Sequence, residues 1–139
     1  MFKDKYFGRG LSDSGMRDEI EGFFSAGGQL RSDAIRALLP RLTELQTALQ
    51  LQDSLRLFSV SLLLIYEGEH LVPGAVNGAA EEGEESLVEL RMIDFANATH
   101  KGYPGDPLRY EGPDEGWLFG LRNVIQILKD LLHRSSIKQ

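Results

Sequence analysis

The chain has 139 residues, 42% of them hydrophobic and 26% charged, with no cysteine and a formal net charge of −6. A chain of this length makes one domain and buries roughly two-thirds of its unfolded surface, which is enough for a proper core. The composition excludes disulfides and thiolate metal sites, no apolar run approaches the roughly 20 residues of a membrane helix, and the opening MFKDKYFGRG lacks the apolar stretch of a secretory signal.

In chain order, residues 2–11 (FKDKYFGRGL) read as a short strand followed by a glycine-flanked turn. Ser12 suits the N-cap of a helix over about 13–25, whose apolar residues Met16, Ile20, Phe23 and Phe24 recur at helical spacing and which Gly27 and Gly28 end. Ser32 or Asp33 caps a second helix carrying Ile35, Leu38, Leu39, Leu42, Leu45 and Leu49 on one stripe, and Pro40 within it predicts a kink or a late start. RLFSVSLLLIYEG (56–68) is a strand, and because Leu62 to Tyr66 are apolar on both parities it is expected to be covered on both faces.

The composition then changes. Residues 67–90 hold 7 acidic and no basic side chains, while residues 1–66 hold 8 of each and residues 91–139 hold 7 basic and 6 acidic. All of the excess charge therefore sits in one segment, and the stretch at about 67–86 reads as an exposed, flexible acidic loop. The overall negative charge says nothing against an anionic ligand elsewhere. With no basic cluster and no aromatic-basic interleaving, a nucleic-acid partner is not expected.

A second strand runs over 87–95, and residues 96–113, with glycine at 102, 105 and 112 and proline at 104, 107 and 113, form a loop. Asp114 caps the last helix, whose Trp117, Leu118, Leu121, Val124, Ile125, Leu128, Leu131 and Leu132 form a wide apolar stripe. The expected order is β-α-α-β-β-α, an α+β fold with an antiparallel sheet core and packed helices.

One residue breaks this pattern. Val88, Leu90 and Met92 share one parity of the 87–95 strand, and Asp94 falls on that same apolar parity between Ile93 and Phe95. Taken alone, a strand-end aspartate is a turn or cap residue. It is also how kinases present a carboxylate to magnesium on ATP, with apolar neighbours on either side packing to fix the backbone.

The neighbouring segments carry a resemblance. Val60-Ser61-Leu62-Leu63, Ile93-Asp94-Phe95 and the run from Asp114 through Gly116, Trp117, Gly120 and Leu121 to Asn123 resemble three motifs of the inositol polyphosphate kinase family, in the same order. KYFGRGLS (5–12) is most similar to its inositol hexakisphosphate kinase branch, and the resemblance runs from about residue 5 to residue 132. It implies an ATP- and magnesium-dependent kinase acting on an inositol phosphate, working in the cytoplasm or nucleus. Asp94 takes the place of the magnesium-binding, catalytic aspartate, and Ser61 that of a serine beside the nucleotide phosphates and metal. Val60 brings no hydroxyl where the family has its first serine, and Ser59, on the parity of Ser61, can partly substitute. Asn97 stands where relatives place a histidine or lysine that touches the inositol, so substrate affinity leans on other cations: Lys101 first, with Arg9 and Lys5 more distant. His100 is assigned no role.

The family's Pro-x-x-x-Asp-x-Lys-x-Gly motif and its nucleotide-covering lobe do not occur in the sequence, so residues 1–139 are expected to be a single, partial C-terminal kinase lobe. The alternative from a different class is a non-catalytic remnant that acts as a binding module. Gly105-Asp106-Pro107 invites comparison with aminoglycoside- or choline-type phosphotransferases, but the His-x-Asp-x-x-x-x-Asn loop those enzymes need before the metal aspartate is missing.

Overall fold

The computed structural model describes residues 3–26, 28–68 and 88–137. The acidic segment expected to be a flexible loop lies almost entirely outside them.

Among the described residues there are four helices and three two-stranded antiparallel sheets. Helices α1 (Lys5–Arg9) and α2 (Asp13–Phe23) lead into the short strands β1 (Ser25–Ala26) and β2 (Gln29–Leu30), followed by α3 (Ser32–Gln50). Strands β3 (Arg56–Phe58), β4 (Ser61–Tyr66), β5 (Val88–Ile93) and β6 (Asn97–Thr99) come next, and α4 (Glu115–Ile137) closes the described chain. The pairings are β1 with β2, β3 with β6 and β4 with β5. The α+β class with antiparallel sheets therefore holds.

The first element differs from the sequence expectation. Residues 5–9 are helical because the Asp4 carboxylate accepts from the Tyr6 and Phe7 N–H groups at 3.0 and 2.9 Å. An N-cap of this kind outweighs a short apolar alternation. Ser12 caps α2 as expected, accepting from Gly15 N at 3.2 Å. That helix stops at Phe23, and the β1–β2 turn passes through Gly28 at φ 81°, a conformation a Cβ disfavours. Helix α3 starts at Ser32 and continues through Pro40, so the proline does not mark a late start.

The core forms where α3 meets α4. Ala34, Ile35, Leu38 and Leu42 of α3 and Leu118, Leu121, Leu128 and Leu131 of α4 are all essentially buried. The inner face of the β4–β5 ribbon lies on this pair through Val88, with Leu62, Leu64, Leu90 and Met92 partly buried against it. The opposite face is open: Leu63 and Ile65 are 38% and 52% exposed. The expectation that β4 is covered on both faces is thus corrected, since its apolar outer residues face away from the core.

Two aspartates and two arginines fasten the frame. Asp114 precedes α4 and accepts from Trp117 N at 3.0 Å with one carboxylate oxygen, and from the buried Leu57 N at 2.8 Å with the other. Asp53 accepts from Gly112 N at 2.8 Å. Arg31, fully buried, donates to both oxygens of Asp33 at 2.9 and 2.8 Å and to the Glu67 carbonyl at 2.6 Å. Arg41 donates to the Val88 carbonyl at 2.9 Å.

Asp114→Ala is expected to cost about 2 kcal/mol, combining a lost helix cap with an unsatisfied buried N–H. Asp114→Asn should cost less, because its amide oxygen keeps one of the two bonds. Urea midpoints at constant m-value check both; an unchanged midpoint for the alanine variant would contradict the double role.

Candidate functional site

Strands β3 and β4 face β6 and β5 as one long ribbon with a break in it. Phe58 pairs with Asn97 on one side of the break, and Ser61 pairs with Ile93 on the other. Two residues, Ser59 and Val60, therefore lie opposite three, Asp94, Phe95 and Ala96. This is the unequal count of a β-bulge, which bends a strand and re-aims its side chains.

The break explains the parity of Asp94. A regular strand would turn its side chain inward beside Met92, leaving a carboxylate without water or partner at a cost of several kcal/mol. Instead β5 ends at Ile93 and Asp94 adopts φ 68°, while Ser59 across the break adopts φ 60°. Left-handed backbone is several-fold more frequent for aspartate than for most residues. Asp94 is exposed as a result. The turn is held by the Ala98 N–H donating to the Phe95 carbonyl at 3.0 Å and by the paired strands on either side. It is not held by its apolar neighbours: Ile93 and Phe95 are 38% and 51% exposed, which corrects the expectation that they lock it by packing.

The register pairs Ser61 with Ile93, the residue before Asp94. Antiparallel partners have Cα atoms roughly 4.5–5.5 Å apart. Ser59, Ser61, Asp94 and Asn97 are all exposed at this break. Asn97 opens onto a cavity of about 460 Å³ that also touches Phe58, Thr99, Tyr103 and Asp106. Thr99 is buried and already donates to Asp106 at 2.8 Å.

None of the expected cations lines this cavity. Lys101 does not line the cavity; its ammonium pairs with Asp53. That ammonium, followed by the Gly112 N–H, holds the Asp53 carboxyl below its ordinary value. Lys5 and Arg9 sit on α1, with the Lys5 ammonium over the Tyr6 ring at 5.3 Å. Arg56 is committed to the carbonyls of Leu55, Glu111 and Gly112. His100 meets the Lys101 carbonyl through Nδ1 at 2.8 Å.

A single exposed carboxylate at a strand end, with a serine on the neighbouring strand one register position away, suits an ion that takes its other ligands from phosphate and water, as magnesium does. Among the described residues no three His, Cys, Asp or Glu side chains gather into a closed metal cage.

Comparison with known proteins gives this arrangement its context. The family described as inositol polyphosphate kinase matches residues 1–129. The chain belongs to the inositol polyphosphate kinase family. Inositol hexakisphosphate kinase 3 of Mus musculus is 43% identical over 131 residues, covering 93% of this chain and 33% of the mouse protein. Inositol hexakisphosphate kinase 2 of Rattus norvegicus is 35% identical over 155 residues, covering 97% of this chain and 36% of its own length. Inositol phosphate multikinase Ipk2 from S. cerevisiae, solved in complex with ADP and Mn2+, superposes with a TM-score of 0.67 at 26% identity, over 93% of this chain and 50% of that one. The chain thus shares the fold of half of that kinase, and it spans about a third of the length of the hexakisphosphate kinases it matches.

Sequence reasoning singled out Asp94 and Ser61 through motif position. It missed the bulge that exposes them and the engagement of Lys101 by Asp53. The left-handed turn has a faint signal in the sequence, an aspartate where the apolar alternation stops. The Asp53 pairing has none, since 48 positions separate the partners.

Proposed function

We propose that this chain supplies the metal-binding edge and part of the acceptor surface of a kinase that transfers the γ-phosphoryl group of ATP to an inositol phosphate, with magnesium as the metal. The observation that carries this reading is the exposed Asp94 carboxylate, held on a bulged strand end next to the Ser61–Ile93 pair in a kinase-family chain. The names of its relatives, inositol hexakisphosphate kinases and a multikinase bound to ADP and Mn2+, support the substrate and the nucleotide.

In this reading Asp94 would hold the metal ion, and Ser61 would donate its hydroxyl hydrogen to a phosphate oxygen. When bound, magnesium neutralises negative charge on the transferring phosphoryl group. The strand pairing on both sides of the break keeps the carboxylate in place without reorganisation, which is what electrostatic stabilisation requires. Asn97 offers an amide that can donate to a phosphate or accept from a ring hydroxyl, without charge. Lys101 reaches an anionic substrate only by leaving Asp53.

Purified residues 1–139 should show little or no turnover of ATP with inositol hexakisphosphate. A chimera in which this chain replaces the matching 131 residues of the mouse kinase should be active. Robust turnover by residues 1–139 alone, or a folded but inactive chimera, would overturn this reading. In the active chimera Asn97→His should lower KM about fivefold near pH 6, where the added imidazole is largely charged, and leave kcat within about twofold.

A further inference from the structure

Much of the lining of the cavity beside Asn97 is irregular chain. Tyr103 to Pro107 contribute to it, yet residues 102–110 form no helix or strand and none of them is buried. Such a stretch keeps its shape only through what fastens it. Within it the Asp106 carboxylate accepts from Thr99 Oγ1 at 2.8 Å and from the Leu108 N–H at 2.9 Å. Its two ends are held from elsewhere, by Asp53 and Ser54 between α3 and β3 and by Arg56, the first residue of β3.

At the start of the loop, the Lys101 N–H donates to Ser54 Oγ at 3.1 Å, and the Lys101 ammonium pairs with Asp53. At its end, both backbone groups of Gly112 are engaged. The Gly112 N–H donates to Asp53 at 2.8 Å, and the Gly112 carbonyl accepts from the Ser54 N–H and from Arg56 Nη1, each at 2.9 Å. Arg56 Nη2 donates to the Glu111 carbonyl at 2.8 Å. The Arg56 guanidinium also lies 5.0 Å from the Tyr110 ring centroid, and that ring meets Phe58, part of the cavity lining, at 5.9 Å. Ser54 is 2% exposed and has φ 69°, which is uncommon for serine. A left-handed residue other than glycine persists only where its surroundings fix it. Here its N–H serves one end of the loop and its hydroxyl the other.

We propose that Asp53, Ser54 and Arg56 are positioning residues, which clasp both ends of the 101–112 loop and so set the shape of the cavity beside Asn97 and its affinity for the acceptor. None of the three lines that cavity, so they act through the loop. Lys101 then belongs to the clasp and not to the substrate contacts. This inference rests on the kinase reading, in which the acceptor lies at Asn97.

Acceptor kinetics in the chimera, with calorimetric titration of inositol hexakisphosphate, test it. Asp53→Ala removes a bond at each end of the loop and should raise the acceptor KM and Kd about tenfold, leaving kcat and the KM for ATP within about twofold. Asp53→Asn should stay within about threefold of the parent, because its amide oxygen keeps the Gly112 bond. The sign of that variant separates two roles for Lys101. A lysine that binds substrate and is tethered by Asp53 would be freed by the lost charge, and KM would fall below the parent. Ser54→Gly suits the left-handed backbone, keeps the N–H to Gly112 and loses only the hydroxyl, so Tm should hold within a few degrees while the acceptor KM rises about fivefold. A role in stability alone would leave that KM unchanged in the folded enzyme. An unchanged acceptor KM in either Asp53→Ala or Ser54→Gly would overturn the proposal, as would an equal rise in the KM for ATP or a fall in KM for Asp53→Asn. An inactive chimera whose Kd still rises in Asp53→Ala would leave the clasp standing while the kinase reading fell. A folded chimera that binds no acceptor would overturn both.

Discussion

In the chimera, Asp94→Asn is expected to lower kcat by about 10³-fold, equivalent to roughly 4 kcal/mol of transition-state stabilisation. Asparagine has nearly the shape of aspartate and is equally at home in the left-handed backbone that residue 94 adopts. The substitution therefore removes charge and little else. Tm should stay within a few degrees of the parent, because the exposed carboxylate is not part of the frame. Steady-state kinetics with magnesium titration, alongside a thermal melt, separates the two quantities. Full activity in the variant would show that the strand-end carboxylate is a turn residue only, and a large fall in Tm would show that it holds the break.

Arg31→Ala should have the largest effect on stability, about 3 kcal/mol, or a fall of roughly 10 °C in Tm. Its guanidinium is fully buried, donates to both Asp33 oxygens and to the Glu67 carbonyl, and lies 5.5 Å from the Tyr66 ring centroid. Arg31→Lys should rescue little, since an ammonium cannot make the planar bidentate contact. The same pair gives a pH signature. Arg31's hydrogen bonds, opposed by partial burial and aided by the Ala34 N–H, hold the Asp33 carboxyl at about 2, below its usual 3.8. A carboxyl depressed in the folded state stabilises above its unfolded pKa and loses that contribution as the pH falls from about 4 toward 2. Because the Asp33 side chain is half exposed, screening limits the contribution to about 1 kcal/mol. Denaturant midpoints between pH 6 and pH 2.5 should therefore converge between the parent and Asp33→Asn. Parallel curves would show that the pair does not couple to folding.

The long-range periodicities were legible before any coordinates. The stripes of α3 and α4, the Ser12 cap and the inward parity of β5 all follow from local rules, and all are found as expected. What was not legible depends on the interplay of distant segments. The run from Arg56 to Tyr66 reads as one strand, yet it is split at Ser59, because that is where the facing chain carries one residue too many. Leu63 and Ile65 look like core by composition and are not, since parity cannot show how many layers cover a sheet. Residues 2–11 read as a short strand and turn, yet 5–9 are helical because Asp4 caps them. For the candidate site, residue identity came from motif order, while its exposure and the diversion of Lys101 came only from the fold.

Tyr66 and Val88 are cross-strand partners, and two arginines grip the carbonyls beside them, Arg31, just before α3, at Glu67 and Arg41, within α3, at Val88. Glu67 and Val88 are thus each held by an arginine from outside the strand pair. These two grips fix where the ribbon starts, so a single residue inserted between Val88 and Ile93 would slip every later pairing and carry Asp94 out of its place opposite the break.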